Sequence, residues 1–82
     1  MKEALPIIIF GDSNDEQIIR LKCWLLKCGV CNFAHCRLED CLRFEKNMQA
    51  GLFIISRETM NPTQIEAVSL QARRLAVPVL QL

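Results

Sequence analysis

The residues that decide the fold form three short apolar runs, Ile7-Ile8-Ile9-Phe10, Leu52-Phe53-Ile54-Ile55 and Val77-Pro78-Val79-Leu80. Segments with helical periodicity separate these runs. Parallel strands are buried on both faces, so they read as continuous hydrophobic runs instead of alternating patterns. Runs of this kind that alternate with helices are typical of a sheet with helices packed on both faces. The sequence therefore predicts an α/β fold built as a three-layer parallel sheet.

The segment after the first run carries the signals of an amphipathic helix. Ser13 and Glu16 have the spacing of a capping box, in which each side chain satisfies a free backbone N–H group. The helix is expected to reach about Cys28, and Gly29 then suits a left-handed cap. Four apolar residues recur at steps of +3, +4 and +3, which predicts one buried stripe: Ile18, Leu21, Leu25 and Cys28.

The second half of the chain carries a similar set of signals. Asn61 is predicted as the cap of a last helix, with Pro62 at its first position and Gln64 completing the capping pattern. The apolar residues of this helix again step by +3, +4 and +3: Ile65, Val68, Ala72 and Leu75. A final strand is expected over Val77–Gln81.

Two weaker elements complete the predicted order. Val30–Cys36 reads as a second strand, and its polar residues favour an edge position. Leu38–Met48 reads as a weak helix that Gly51 ends. The predicted order is β-α-β-α-β-α-β in one domain spanning residues 1–82. Right-handed crossovers then favour the strand order 2-1-3-4.

Composition limits the classes of function. Lys and Arg number 10 against 9 Asp and Glu, a net charge of +1 that gives no electrostatic reason to expect a nucleic-acid partner. No apolar run approaches the ~18 residues of a membrane span, so no membrane partner is expected. The amino-terminal residues do not resemble a signal peptide. Five cysteines without an export signal favour a reducing, cytoplasmic location with unbridged thiols.

The order of these patterns resembles that of a bacterial response-regulator receiver domain. The resemblance rests on the first apolar strand with its acidic turn, on Lys27-Cys28-Gly29-Val30, on the run from Leu52 to Pro62, and on Val77-Pro78-Val79-Leu80. It covers nearly the whole chain and implies a flavodoxin-like fold with a regulatory role. It also implies an acidic Mg²⁺-binding turn, which Asp12, with Asp15 and Glu16, would supply.

Departures from the receiver pattern argue against phosphotransfer. Ser56 stands where receivers carry the phosphate-accepting aspartate, and a hydroxyl group cannot form an acyl phosphate. The lysine expected after a fifth strand is missing, together with that strand. Acidic residues at a helix start are equally explained by capping and by the helix dipole. We therefore expect no catalytic residues, while Asp12, Ser13, Asn14 and Ser56 form a candidate ligand-binding crevice at the strand ends.

A hydrolase is a further alternative. Gly11-Asp12-Ser13 resembles the first sequence block of the lipase and esterase family that uses a Gly-Asp-Ser nucleophile. In that family Ser13 would be activated by a histidine that an aspartate orients. His35 is the single histidine and has no such aspartate before it. Helix capping is the simpler interpretation of Ser13, and His35 is expected to be a partly exposed strand residue.

The cysteines offer a third candidate chemistry. Cys28 and Cys31 form a Cys-x-x-Cys pair, a common half-site for Zn²⁺, and Cys36 and Cys41 follow nearby. A junction between a helix and a strand does not bring such sulfur atoms together. We therefore expect no bound metal and no cofactor, with the cysteines acting as small buried hydrophobic residues.

The elements missing relative to a complete receiver predict self-association. No final helix is present to cover the sheet beside the first helix, so the apolar face of strands three and four is expected to be partly bare. Such faces mark interfaces. The sequence predicts a non-enzymatic, receiver-like protein-interaction module acting as a homodimer. Its interface is expected to include Phe53, Ile55 or Val79, or the outward faces of the first and last helices.

Overall fold

A computed structural model of the chain describes residues 5–37 and 50–82. Four strands and two helices lie in these residues, in the order β1 (Ile7–Phe10), α1 (Glu16–Lys27), β2 (Phe33–Cys36), β3 (Leu52–Ile55), α2 (Pro62–Leu75) and β4 (Val79–Gln81). The helix predicted over Leu38–Met48 lies outside the described residues, as does Cys41.

The four strands form one parallel sheet in the order β2-β1-β3-β4. This confirms the predicted α/β class and the predicted strand order 2-1-3-4. The register sets Ile9 of β1 opposite His35 on one side and Ile54 on the other. β2 is an edge strand, as its diluted apolar character predicted.

The two helices pack on opposite faces of the sheet. Val68 and Ala72 of α2 lie in a core cluster with alternate residues of the central strands: Ile8, Phe10, Phe53 and Ile55. Ile18 and Leu25 of α1 lie in a second cluster with the residues that point the other way, Ile9 and Ile54. The continuous apolar runs are therefore explained by burial on both faces of the sheet.

The cap of α1 differs from the prediction. Asp15 is the N-cap residue, and its carboxylate accepts a hydrogen bond from the N–H group of Gln17, whereas Ser13 is exposed. The predicted capping box of Ser13 and Glu16 is therefore wrong. The cap of α2 is as predicted, because Asn61 and Gln64 each accept a hydrogen bond from the other's N–H group, at 2.8 and 3.0 Å.

Two strands begin later than predicted, for the same reason. The N–H group of Val30 donates to the carbonyl of Leu25 at 2.9 Å, and that of Val77 donates to Ala72 at 2.8 Å. These bonds satisfy carbonyl groups at the helix ends. Gly29, with φ of 80°, supplies the left-handed turn after α1. Both valines thus complete a helix end instead of starting a strand.

The four cysteines among the described residues are not the buried residues that we predicted. Cys23, Cys28 and Cys31 are unbridged and exposed, and Cys36 is half-buried. Cys28 was predicted to close the buried stripe of the first helix, but α1 ends at Lys27 and Cys28 is its C-cap. The buried stripe therefore stops at Leu25, because the helix ends before Cys28.

The predicted interface residues lie on the face that α2 covers. Phe53 and Ile55 are fully buried in that core, and the Phe53 ring packs edge-on against Phe10 with centroids 5.1 Å apart. Val79 is partly buried against the same cluster. Phe53 and Ile55 consequently offer no surface to a second chain. The incompletely covered side of β4 is the opposite one, where Leu80 is 48% exposed.

Candidate functional site at the strand ends

The predicted crevice lies where β1 and β3 end side by side. The loop from Gly11 to Asp15 follows β1, and Ser56 follows β3. The N–H group of Ser56 donates to the carbonyl of Phe10 at 3.2 Å, which holds the two strand ends together. The parallel sheet therefore brings these segments to one edge, the position at which such folds bind ligands.

The centre of this region is the buried carboxylate of Asp15. Its Oδ2 atom accepts hydrogen bonds from the Ser56 hydroxyl group and from the Thr59 hydroxyl group, the latter at 3.1 Å. Its Oδ1 atom accepts from the N–H group of Gln17 at 2.9 Å. Asp15 thus caps α1 and also ties that helix to the loop between β3 and α2.

These donors stabilise the charged form of the carboxylate. The Ser56 hydroxyl group contributes most to holding the pKa of Asp15 below its ordinary value of 3.8, with smaller contributions from Gln17 and Thr59. Burial acts in the opposite direction, because desolvation disfavours a charge. The lowered pKa means that the donors outweigh desolvation, so Asp15 is ionised at neutral pH.

The loop before Asp15 is held by local bonds. The Asp12 carboxylate accepts a hydrogen bond from the N–H group of Asn14 at 3.0 Å, an Asx turn. The N–H group of Asp12 donates to the Thr59 hydroxyl oxygen at 3.3 Å, and that hydroxyl group donates in turn to Asp15. The side chains of Ser13 and Asn14 are exposed at the tip of the loop.

Gly11 allows this loop to pass close to the neighbouring elements. Its φ is 154°, a conformation that residues with side chains rarely adopt. A Cβ atom at this position would lie 2.1 Å from the Ile18 side chain and 3.3 Å from the Cβ atom of Ser56. Glycine is therefore required for α1 to pack against the end of β3.

A second polar connection runs from α1 through β2 to the same loop. The Nζ atom of Lys22 lies 2.8 Å from Nδ1 of His35, and Nε2 of His35 lies 2.8 Å from the carbonyl oxygen of Gly11. Because an ammonium group only donates and a carbonyl only accepts, this arrangement assigns a neutral ring that carries its proton on Nε2. His35 is partly exposed, as predicted, and both of its ring nitrogens are engaged.

These contacts bear on the candidate chemistries. Ser56 is brought to the crevice, but it is fully buried and directed at Asp15. The ring of His35 contacts Lys22 and Gly11, not Ser13, so the contacts do not assemble a serine–histidine pair. Within residues 5–37 and 50–82, no group of three or more His, Cys, Asp and Glu side chains is placed to hold a metal ion.

The sequence did not reveal the roles of three participants in this region. Asp15 stood among several short polar residues before a helix, and that pattern alone does not select one of them as the cap. Thr59 carried no signal beyond its place in the loop after β3. The contact between Lys22 and His35 joins two elements, and no local pattern encodes it.

Comparison with known proteins gives no assignment. No family model matches the chain, and no significant match is found among curated proteins or solved structures. Neither helix in the described part of the chain combines the length and the apolar character that crossing a bilayer requires.

Proposed function

We propose that this chain is a non-catalytic, receiver-like interaction module that acts as a homodimer in regulation. The proposal rests mainly on the exposed apolar surface on the α1 side of the sheet. The hydrogen bonding at the strand ends supports a role without catalysis, and the apolar character of the exposed surface supports a second copy as the partner.

The polar residues at the strand ends form hydrogen bonds that stabilise the fold. Both carboxylate oxygens of Asp15 are occupied by donors from the chain itself, and the Asp12 carboxylate closes its own turn. No buried polar side-chain atom in the described residues lacks a hydrogen-bond partner. A catalytic group needs free capacity toward a substrate, so this bonding favours a binding role elsewhere on the molecule.

The apolar surface lies beside α1, over β4. Leu80 is 48% exposed and Trp24 is 60% exposed, while Leu82 is half-buried against the α1 core cluster. Lys22 marks the flank of α1 that faces β2, because it contacts His35. Trp24 lies on the opposite flank, which faces β3 and β4. Tryptophan in such a position is the residue type most enriched at binding hot spots.

A second copy of the chain suits this surface. Burying apolar area contributes about 25 cal/mol per Å², which favours association of two like surfaces. The homodimer therefore needs no further partner to cover Leu80 and Trp24.

Light scattering coupled to size-exclusion chromatography tests the proposal over a range of protein concentrations. We expect a dimer whose dissociation constant rises at least about tenfold, or ~1.4 kcal/mol, when Leu80→Glu places a charge in the interface. Emission from Trp24, the single tryptophan, should shift to the red as the dimer dissociates.

Leu70→Glu is the matched control. Leu70 is 58% exposed, but it lies on α2, on the other side of the sheet, and this variant should remain a dimer. The proposal fails if the wild-type protein is monomeric at high concentration, or if both leucine variants change the assembly equally.

A further inference from the structure

We propose that the outward face of α1 is a second docking surface, which binds an acidic amphipathic helix of another protein. It is separate from the homodimer surface, which lies on the flank of α1 that carries Trp24. The proposal rests on the exposed apolar residues of this helix and on the sign of the charges around them.

Three exposed residues form an apolar stripe on α1. Ile19 is 47% exposed, Leu26 is 56% exposed, and Cys23 lies between them and is also exposed. Their spacing of +4 and +3 places them on one side of the helix. The stripe spans about 10 Å, since each helical residue rises about 1.5 Å. Two turns of a partner helix would cover it.

The charges beside this stripe are positive. At about 100° per residue, Arg20 and Lys27 lie on one side of the stripe and Lys22 on the other. Arg20 and Lys27 are exposed. Glu16, at the first position of α1, is the acidic residue of this helix; it lies on the same side as Arg20, one turn before the stripe, so the three basic residues outnumber it.

Basic and acidic residues are also distributed unevenly along the whole chain. Residues 17–37 contain Arg20, Lys22, Lys27 and Arg37 and no Asp or Glu, although the chain carries 10 basic and 9 acidic residues in all. The remaining residues consequently carry a net negative charge. The net charge of +1 therefore conceals a basic segment that includes most of α1 and extends past β2.

This charge pattern selects the kind of partner. Arg20 and Lys27 lie beside the stripe, so an occupant with acidic residues at the facing positions is favoured over one with basic residues there. An amphipathic helix with apolar residues at positions i, i+4 and i+7 and with glutamates beside them complements both features. Docking of a helix on an apolar strip is a recurring mode of recognition.

A pair of designed peptides tests this surface. One is a helical peptide with leucine at the contact positions and glutamate elsewhere, and the other carries lysine in place of each glutamate. Calorimetry and amide NMR shifts of the intact protein give the affinity and the location of binding. We expect the glutamate peptide to bind at α1 more tightly than the lysine peptide by at least about tenfold, and to weaken as salt is added.

Variants of the protein locate the determinants. Leu26→Glu and the double variant Arg20→Glu/Lys27→Glu should each weaken binding of the glutamate peptide at least about tenfold, and the double variant should reverse the preference between the peptides. Leu70→Glu and Arg73→Glu on α2 are matched controls that should leave binding unchanged. Lys27→Gln provides a milder change if the double variant does not fold.

Several results would overturn the proposal. These are equal affinity for both peptides, shifts that map away from α1, or no shift at α1 at millimolar peptide. Binding of α1 to vesicles of phosphatidylserine and phosphatidylcholine, without binding to the glutamate peptide, would assign the surface to lipid and also count against it. The oligomeric state is measured separately, so failure here is distinguishable from failure of the homodimer.

Discussion

The two faces of the sheet are closed to different extents, although the same four strands form both. On the α2 side, Phe10, Phe53 and Ile55 are fully buried under that helix. On the α1 side, Ile54 of β3 is also buried, but its neighbour on β4, Leu80, remains 48% exposed. The difference shows that an apolar strand residue is not necessarily a core residue. Its burial depends on where the covering helix lies.

The largest expected effect comes from a substitution in the core between the sheet and α2. Phe53→Ala should cost about 3–5 kcal/mol, because it removes a large buried ring and leaves a cavity. A domain of this kind has on the order of 5 kcal/mol of stability, so the variant should be largely unfolded. Urea denaturation followed by circular dichroism measures the change.

Truncation to alanine on the α1 side of the sheet provides the comparison. Leu80→Ala, measured at a concentration where the protein is monomeric, should cost less than about 1 kcal/mol, since half of the side chain is already in water. If Leu80→Ala destabilises the monomer as much as Phe53→Ala does, then the two faces are equally closed and the comparison is wrong.

The next effect concerns the polar cluster that joins both faces at the strand ends. Asp15→Asn keeps one oxygen atom that can cap α1. It removes the negative charge and the second carboxylate oxygen, so the hydrogen bonds from the Ser56 and Thr59 hydroxyl groups are weakened or lost. We expect a loss of about 1–3 kcal/mol near neutral pH. Asp12→Asn is the matched control, because its amide oxygen can still close the turn to Asn14.

The pH dependence of this effect has a definite sign. The pKa of Asp15 is lower in the folded chain than its ordinary value of 3.8. The carboxylate therefore contributes its full stabilisation above that value and loses it as the pH falls through the lower, folded-state pKa. The stability of the wild-type protein should fall in this acidic range, and the slope should be flatter in Asp15→Asn. An unchanged slope would contradict the assigned role of Asp15.

A smaller effect is expected at the link between α1 and β2. Lys22→Met removes the donor to His35 while keeping most of the aliphatic chain, and should cost about 1 kcal/mol. His35→Phe should cost more, about 2 kcal/mol, because it removes the same contact and also the bond to Gly11. A double-mutant cycle should show a coupling of at least ~0.5 kcal/mol, and strictly additive losses would show that the contact has no energetic role.

The architecture could be read from the sequence because it depends on strong local signals. The runs Ile7–Phe10 and Leu52–Ile55 are apolar at every position, as strands covered on both faces require. The cap at Asn61 followed by Pro62 and Gln64 allows one interpretation, and the structure contains it. The alternation of strands and helices also limits the strand order, because right-handed crossover connections allow few arrangements of parallel strands.

The details of the site could not be read in the same way. A run that is apolar throughout carries no alternation, so it does not say that Phe53 faces α2 and Leu80 faces the other side. Several short polar residues precede α1, and only the tertiary contacts with Ser56 and Thr59 single out Asp15. Cys28 fits a helical stripe by spacing, yet the helix ends one residue earlier.

The smallest expected effect is at the crevice itself. Titration with Mg²⁺, or incubation with acetyl phosphate, should produce no saturable amide NMR shift at Asp12, Ser13 and Asn14 and no labile phosphate on Ser56 by mass spectrometry. Mg²⁺ is held by carboxylates in near-octahedral geometry. Of the two aspartates here, Asp15 is buried and bonded through both oxygens, which leaves Asp12 alone at the surface of the loop. Ser56 has neither exposed surface nor a carboxylate, so a saturable shift or a phosphorylated chain would restore the ligand-binding interpretation.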